Sequence, residues 1–282
     1  MSELVIINGV ETAEARIGAD DRGFLLGDGL FETIPLYGGI PFALTDHLSR
    51  MRRGAALLEL AVPFACGDIA DGITSLARRN GVTRGAARLT LTRGVGPRGY
   101  GIEGCGPPTW LLTVRPCTPL PAGRWERGYT LAPSRIAVNP RSPLASAKTT
   151  SALERVLRFA EARRAGADEA LALTLDGNVA CGAAVNLFWA RGGTLYTPSE
   201  ACGILPGVTR AIVSRLAADE GITVREGAFP PAELYGADEV FATNSLLELM
   251  PVTAAQGHFT GKAPGPLARA LHKRYRELPP EA

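Results

Sequence analysis

A lysine at position 148 lies among small residues in the stretch SPLASAKTTSALERVL, just before a helical pattern that begins near Thr150 or Ser151. A partly desolvated lysine amine loses its proton more readily and can attack a carbonyl carbon to form an imine. An ordinary lysine in a surface loop is the other interpretation of this stretch, and local sequence alone favours it. Lys148 is therefore a candidate nucleophile, and its local sequence leaves both interpretations open.

A second candidate segment, GILPGVTRAIVSRLA, carries groups suited to an anion. Gly203 and Gly207 precede a helix whose first turn holds Val208 and Thr209. Backbone N–H groups at a helix start, the helix dipole and a threonine hydroxyl together favour a phosphate group. A capped helix after a tight turn explains this segment equally well.

Two further features suit the same kind of ligand. In FATNSLLELMPV an apolar strand ends in Thr243, Asn244 and Ser245, whose short polar side chains suit anion contact or the capping of a helix. Arg50 follows His47 by three residues on an apolar-patterned helix. Most such arginines face solvent, but the guanidinium group is also the preferred bidentate ligand of phosphate.

The composition describes a chain that can bury a large core. Of its 282 residues, 46% are hydrophobic and 21% are charged, and the length suits one large domain or two of ordinary size. The formal net charge is only +2, and the arginines are scattered along the chain. We therefore expect a small-molecule partner, and neither nucleic acid nor a membrane surface.

Location and metal content follow from simple patterns. The N-terminus lacks a basic start followed by an apolar run, and no window is long enough to span a bilayer, so we expect a cytoplasmic location. The cysteines are odd in number without a C-x-x-C pair, and the three histidines lack ligand spacing. These patterns predict neither a disulfide framework nor a metal site.

Residues 1–115 are predicted to form a small α+β domain. LVIING is typical of a strand, and PFALTDHLSRMRRGAALLEL is typical of an amphipathic helix with Thr45 and Asp46 as possible caps. A second helix is predicted around Ile69 and Ile73, followed by strands in AARLTLTRG and TWLLTV.

Residues 116–127 are rich in proline and glycine and are predicted to form a linker. A larger α/β domain is predicted over residues 128–282, and it would carry Lys148. Its helices are expected in SALERVLRFAEARRAG and GVTRAIVSRLAADEG, and its strands in EALALTL, NLFWA, ITVRE and EVFAT. A basic helix in GPLARALHKRYREL has no assigned role.

As a set, these motifs resemble the class IV, fold-type IV pyridoxal-phosphate enzymes over about residues 4–256. The matching stretches are DRGFLLGDGLFET, GGIPFALTDHLSRM, Lys148, GADEALALTLDGNVACGAAVNLF, GGTLYTPSEACGILPGVTR and ELYGADEVFATNSLLELMPV. The resemblance implies an α/β fold like that of D-amino-acid aminotransferases, with pyridoxal 5'-phosphate in a cleft between two domains. It also implies a homodimer in which each subunit helps to close the other's pocket.

The resemblance assigns roles by position. It makes Lys148 the lysine that forms the internal aldimine and moves the proton at the substrate α-carbon. It makes Arg50 a ligand of the cofactor phosphate. The other cofactor-binding residues that it implies are Cys181, Asn186, Leu205, Gly207, Val208, Thr209, Asn244 and Ser245.

The fold does not choose the reaction, because one family scaffold serves branched-chain and D-amino-acid aminotransferases, R-selective amine transaminases and 4-amino-4-deoxychorismate lyases. GDGLFET, ARLTLTRGVGPRGYG and TNSLLELMPV favour the lyase, as does Leu153, where the branched-chain enzymes usually have a tyrosine. The lyase forms 4-aminobenzoate and pyruvate, a step toward folate. A class IV aminotransferase acting on branched-chain or D-amino acids is the alternative.

Four residues are candidates for contact with the lyase substrate. The resemblance implies that Thr33 assists proton transfer and that Phe31 lines the substrate pocket. Arg93 and Arg98 could bind the carboxylates of this dicarboxylate substrate. Thr33 is equally compatible with an ordinary strand threonine, and both arginines are compatible with plain loop positions.

Cys181 departs from the family pattern, which places a glutamate here to keep the pyridine nitrogen of the cofactor protonated. A thiol, with a reference pKa of about 8.5, is mostly neutral unless a nearby cation lowers that pKa. Cys181 could ionise against the pyridinium, or it could stay a thiol and leave the electron sink weak. It could also be a small buried residue in a protein that binds the cofactor without catalysis.

Overall fold

The computed structural model describes residues 3–118, 120–261 and 264–280. Contacts within the chain divide it into two compact units. The first comprises Met1–Thr118, Ala147–Ala152 and Pro279–Ala282, and the second comprises Pro119–Ser146 and Leu153–Leu278. Within the described ranges, every helix is too short or too polar to cross a membrane.

Among its described residues, the first unit has a six-stranded antiparallel sheet and three α-helices. The strands are β1 (Val5–Ile7), β2 (Val10–Thr12), β3 (Gly29–Tyr37), β4 (Ile40–Pro41), β5 (Arg84–Thr92) and β6 (Thr109–Pro116), in the spatial order β2-β1-β6-β5-β3-β4. The helices are α1 (Arg22–Leu26), α2 (Leu44–Leu57) and α3 (Cys66–Arg79).

Side-chain alternation along β3 determines which residues enter the core of this unit. Leu30, Ile34 and Leu36 are fully buried and join one hydrophobic cluster with residues of α2 and α3. The helix α2 forms where the apolar spacing predicts it. The predicted caps are wrong, because the helix begins at Leu44 and residue 43 is its N-cap, in a left-handed conformation with φ 52°.

In the part of the second unit that the structure describes, there are a nine-stranded mixed sheet and five α-helices. The helices are α4 (Arg124–Arg127), α5 (Leu153–Arg164), α6 (Val208–Asp219), α7 (Pro231–Tyr235) and α8 (Pro266–Arg276). The strands are β7 (Tyr129–Pro133), β8 (Glu169–Leu173), β9 (Val179–Cys181), β10 (Asn186–Arg191), β11 (Thr194–Pro198), β12 (Val224–Gly227), β13 (Glu239–Asn244), β14 (Glu248–Ala255) and β15 (Phe259–Thr260). Their spatial order is β12-β11-β10-β13-β14-β7-β8-β9, with β15 paired to β14.

The α/β fold class predicted from the sequence is confirmed, and two local features differ from the expected organisation. The predicted linker contains the short helix α4. Lys148 belongs to the first unit rather than to the larger domain, because its segment is hydrogen-bonded to β3. The Phe31 N–H donates to the Lys148 carbonyl, and the Thr150 N–H donates to the Gly29 carbonyl, each at 2.9 Å.

Candidate active site

The backbone around Lys148 is fixed beside β3. In addition to the two backbone bonds, the Thr150 hydroxyl donates to the Gly27 carbonyl at 2.8 Å. The Lys148 side chain is half-buried, and its amine lies 4.5 Å from the centroid of the Phe31 ring. Lys148 therefore has a fixed backbone and a half-buried amine next to an aromatic ring, which fits a nucleophile better than a mobile surface lysine.

Arg50 is bound to a buried carboxylate. Its Nε donates to Oε1 of Glu32 at 2.8 Å, and its Nη2 donates to Oε2 at 2.6 Å. His47 Nδ1 lies 2.7 Å from the same Oε2 atom. Because residues three apart share one helix face, α2 presents His47 and Arg50 together to Glu32 on β3.

The charges in this cluster follow from burial and pairing. Burial alone raises the pKa of Glu32, but the hydrogen bonds and charge of Arg50, helped by His47, outweigh it and lower that pKa to about 2. Burial lowers the pKa of His47, and the positive charges of Arg50 and Lys148 lower it further. The hydrogen bond and charge of Glu32 raise this pKa but do not cancel the effect of burial. Near neutral pH, Glu32 is thus an anion and His47 is a neutral imidazole.

Arg88 on β5 is a functional candidate that the sequence motifs did not reveal. Its guanidinium carbon lies 3.4 Å from the centroid of the Phe31 ring. Burial lowers the pKa of Arg88, while the charge of Glu32 acts in the opposite direction. Lys148, Arg50 and Arg88 give this part of the first unit more positive charge than Glu32 neutralises, which suits an anionic ligand.

The predicted substrate residues Phe31 and Thr33 share one face of β3, opposite the face that carries Glu32. Thr33 pairs directly with Arg88 in the antiparallel register of β3 and β5. Both Phe31 and Thr33 are half-buried. The structure therefore brings an aromatic ring, a hydroxyl and a cation together on one sheet face.

The two predicted loop arginines have different surroundings. Arg93 is buried, with Nε and Nη2 bound to the Asp28 carboxylate at 2.8 and 3.1 Å. It also donates to the carbonyls of Leu58 and Glu59 at 2.7 and 3.0 Å. These bonds make Arg93 a structural residue, so we do not carry it forward as a substrate ligand. Arg98 is exposed in the loop after β5.

In the second unit, the start of α6 packs closely against Asn186. The Asn186 amide donates to the Leu205 carbonyl at 3.0 Å. A Cβ atom on Gly207 would lie 2.1 Å from Asn186 Oδ1, so this position has no room for a side chain. Val208 and Thr209 form the first, buried turn of the helix, whose backbone N–H groups lack intrahelical partners.

A buried hydroxyl lies on the neighbouring strand. Thr243 is 1% exposed, and its oxygen has no hydrogen-bond partner among the described residues. Thr243 pairs with Asn186 across β10 and β13, so their side chains lie on the same face of the sheet. Asn244 and Ser245 begin the adjoining turn, where the Asn244 side chain accepts two backbone N–H groups. An unsatisfied hydroxyl near a helix start fits a phosphate group.

Cys181 ends β9 inside a small apolar cluster. Burial raises the pKa of its thiol, and the charges of Arg155 and Arg158 oppose this shift without cancelling it. In this structure, Cys181 is therefore a neutral thiol. The cluster around it comprises Val138, Ala172, Ala180, Cys202 and Ile204.

Glu169 supports the turn that follows Cys181, and the sequence analysis did not single it out. Its carboxyl group accepts the backbone N–H groups of Ala170, Ala183 and Ala184 at 2.7, 2.8 and 3.2 Å. Burial raises the pKa of Glu169 despite these donors. Its only sequence signal is an acidic residue at the start of the strand pattern EALALTL.

A family model of class IV amino-transferases matches residues 29–255 of the chain. The chain belongs to the class IV aminotransferase family. The resemblance inferred from its motifs is thereby confirmed. Because this match covers most of both units, the shared family extends to the segments that carry Lys148, Arg50 and Gly207.

Relatives of this member of the class IV aminotransferase family differ in the reactions that their names state. A Methanocaldococcus jannaschii protein, provisionally named a branched-chain-amino-acid aminotransferase, is 33% identical over 97% of this chain and 96% of its own. The aminodeoxychorismate lyase of Bacillus subtilis is 32% identical over 97% and 94%. The D-alanine aminotransferase of Bacillus licheniformis is 32% identical over 94% and 93%.

Two solved structures share the fold of this chain. A branched-chain amino acid aminotransferase from T.th., solved with pyridoxamine 5'-phosphate, has a TM-score of 0.89 and 30% identity, covering 98% of this chain and 94% of its own. The 4-amino-4-deoxychorismate lyase of Pseudomonas aeruginosa has a TM-score of 0.85 and 33% identity, covering 97% and 98%. Family membership makes this protein an enzyme whose cofactor is pyridoxal 5'-phosphate, so the non-catalytic alternative is not carried further.

Proposed function

We propose that the protein is a 4-amino-4-deoxychorismate lyase, which converts its substrate into 4-aminobenzoate and pyruvate. The observation that carries this proposal is the sheet face on which Thr33 is the cross-strand neighbour of Arg88, with Phe31 and Lys148 beside them. A cation, a hydroxyl and an amine suit a carboxylate-bearing substrate that must both lose and gain a proton. The lyase-like stretches GDGLFET and TNSLLELMPV support the same reaction.

The cofactor-binding residues belong to the same proposal. In the second unit, the phosphate would be held by the start of α6 and the turn after β13, through Asn186, Leu205, Gly207, Val208, Thr209, Asn244 and Ser245. In the first unit, Glu32 fixes the position of Arg50, the residue to which the family resemblance gives a phosphate-binding role. When bound, pyridoxal 5'-phosphate supplies a sink for the electrons of the substrate α-carbon.

The chain's own residues would perform the proton transfers and hold the substrate. Lys148 would take the proton at the α-carbon, and Thr33 would assist its transfer. Arg88 would bind a substrate carboxylate, and Arg98 would bind the other from its exposed loop. The elimination needs no further reactant, because 4-aminobenzoate and pyruvate together contain all the atoms of the substrate.

We also infer that the protein acts as a cytoplasmic homodimer. Helix α1 exposes three consecutive apolar side chains, those of Phe24, Leu25 and Leu26, and Phe24 is 76% exposed. A cluster of this kind on a monomer surface marks an association site more often than bare solvent contact. A second copy of the chain is the partner that we assign to this surface.

The proposed function is tested with purified protein, added pyridoxal phosphate and a Lys148→Ala variant. We expect a visible absorption band that borohydride fixes to the wild-type chain and to Lys273→Ala, an exposed-lysine control, but not to Lys148→Ala. The wild type should then release 4-aminobenzoate and pyruvate in equal amounts. Amino transfer between branched-chain or D-amino acids and keto acids, without 4-aminobenzoate, would instead make the protein an aminotransferase and refute the lyase assignment.

A further inference from the structure

The second unit carries an open depression that plays no part in the proposed reaction. Its volume is about 540 Å³, within the range of small-molecule sites. Helix α8, the basic helix without a role in the sequence analysis, forms most of its wall. The lining residues are Trp125, Arg269, His272, Lys273, Arg276 and Glu277.

Several of these side chains are already held in place. The Trp125 indole N–H donates to the Leu249 carbonyl at 2.9 Å. Its ring stacks on His272 with centroids 4.9 Å apart, and the Arg269 guanidinium lies 5.6 Å from the same ring. His272 Nε2 lies 2.7 Å from the Glu248 carboxylate. A wall ordered in this way loses less side-chain entropy when a ligand binds.

The anchor of this wall is a residue under backbone strain. Glu248 has a φ of 57°, the left-handed conformation that residues other than glycine rarely adopt. Its side chain is buried beneath α8, where it contacts His272. Strain of this kind persists where the surrounding structure enforces it, and it occurs often at ligand sites.

The cations in the depression are spread along one helix face. Arg269, Lys273 and Arg276 follow the spacing i, i+4, i+7, which places them on one side of α8 over about 10 Å. One phosphate group is too small to contact all three, whereas a chain of linked phosphates has the necessary length and charge. Glu277 lies 4.0 Å from the Lys273 amine, and the buried Glu248 lies 4.0 Å from Arg276 Nε. Three cations against these two carboxylates leave one net positive charge, with Arg269 as the cation that has no carboxylate beside it among these residues.

We propose that this depression binds a triphosphate group, carried by inorganic tripolyphosphate or by a nucleoside triphosphate. The arginine forks at both ends suit phosphate oxygens, and the lysine between them adds a point charge. The Trp125 ring is already contacted by His272 and Arg269, so recognition rests on the phosphates rather than on a stacked base.

The experiment is a calorimetric titration of the full chain, saturated with pyridoxal phosphate, with sodium tripolyphosphate, ATP or adenosine. We expect one saturable site for tripolyphosphate and for ATP, and none for adenosine. If tripolyphosphate and ATP bind with equal affinity, the ligand of the depression is inorganic polyphosphate. If ATP binds clearly more tightly than tripolyphosphate, the ligand is a nucleoside triphosphate. Absence of saturable binding by either polyphosphate, or binding of adenosine as tight as that of ATP, overturns the proposal.

Charge-removing variants locate the binding. Arg269→Gln, Lys273→Gln and Arg276→Gln should each weaken tripolyphosphate binding about fivefold, and the triple variant should abolish it. Arg215→Gln is the matched control, because Arg215 is an exposed arginine on helix α6 of the same unit and does not line the depression. An equal loss in this control, or undiminished binding by the triple variant, would contradict a site at this position.

Discussion

In the site that we propose, residue 181 would lie at the ring nitrogen of the cofactor. A buried thiol with a raised pKa offers no negative charge, whereas a carboxylate stabilises a protonated pyridine nitrogen. Transamination removes an α-proton twice in each cycle and depends strongly on that protonation. An elimination that ends in an aromatic product has a downhill step, so Cys181 is easier to reconcile with the proposed lyase than with an aminotransferase.

We therefore expect Cys181→Glu to raise the rate of amino transfer at least about tenfold while changing the lyase rate less than about twofold. The charges of Arg155 and Arg158, which already oppose the raised pKa of this site, would help to accommodate the new carboxylate. Steady-state assays of both reactions measure the effect, with melting temperatures as a check on folding. Cys181→Ser is the neutral control and should leave the ratio of the two rates unchanged. A parallel rise or fall of both rates in Cys181→Glu would refute this account.

At the scale of elements, close approach between β10 and the start of α6 forms the phosphate seat that we propose. The missing side chain at Gly207 lets Asn186 reach the Leu205 carbonyl. The sequence shows a glycine before this helix, but it does not show why a glycine is needed there. That reason depends on a contact with a residue 21 positions earlier in the chain.

Gly207→Ala should weaken the binding of pyridoxal phosphate about tenfold, because the added Cβ would displace Asn186. The matched control is Gly67→Ala near the start of α3, where a Cβ would meet open space. Absorbance titrations of both variants with the cofactor provide the comparison. Unchanged affinity in Gly207→Ala, or equal losses in both variants, would remove this glycine from the binding site.

Element boundaries show where sequence patterns succeed. The apolar spacing of α2 and α3, and the strand patterns of β5 and β6, correspond to the observed elements because each depends on neighbouring residues. The N-cap of α2 was predicted wrongly. Residue 43 adopts a left-handed conformation there, and its side chain does not cap the helix.

At the scale of the whole molecule, exposed apolar surface is the feature that supports the proposed homodimer. Helix α5 exposes Leu153, Val156 and Leu157, which the spacing i, i+3, i+4 places on one face. Together with the Phe24 cluster of α1, this is more apolar surface than scattered single residues would present. A symmetric dimer would cover such patches on both copies at once.

Sedimentation velocity of the wild type at micromolar concentration should give twice the mass of one chain. Phe24→Glu should shift the protein to monomers, because a charge would enter the buried interface. Val10→Glu is the control, since Val10 is 64% exposed on the short strand β2. A monomeric wild type, or a dimer that Phe24→Glu leaves intact, would contradict the assignment of this surface.

The sequence by itself determined the features that are local along the chain. The position of Lys148 before a helix, the glycine at the start of α6 and the His47–Arg50 spacing belong to the set of motifs that indicated the family and its cofactor. Each of these signals depends on residues only a few positions apart. These signals can therefore be recognised in the sequence without knowledge of the tertiary structure.

Only the tertiary structure decided which distant residues complete the candidate site. Glu32 reaches Arg50, and Arg88 reaches Phe31, because of helix packing and strand register between segments far apart in the chain. Long-range hydrogen bonds also hold Arg93, which bonds to Asp28 and to the carbonyls of Leu58 and Glu59. A shift of one residue in register would turn each strand side chain to the opposite face, so no local pattern specifies these partners.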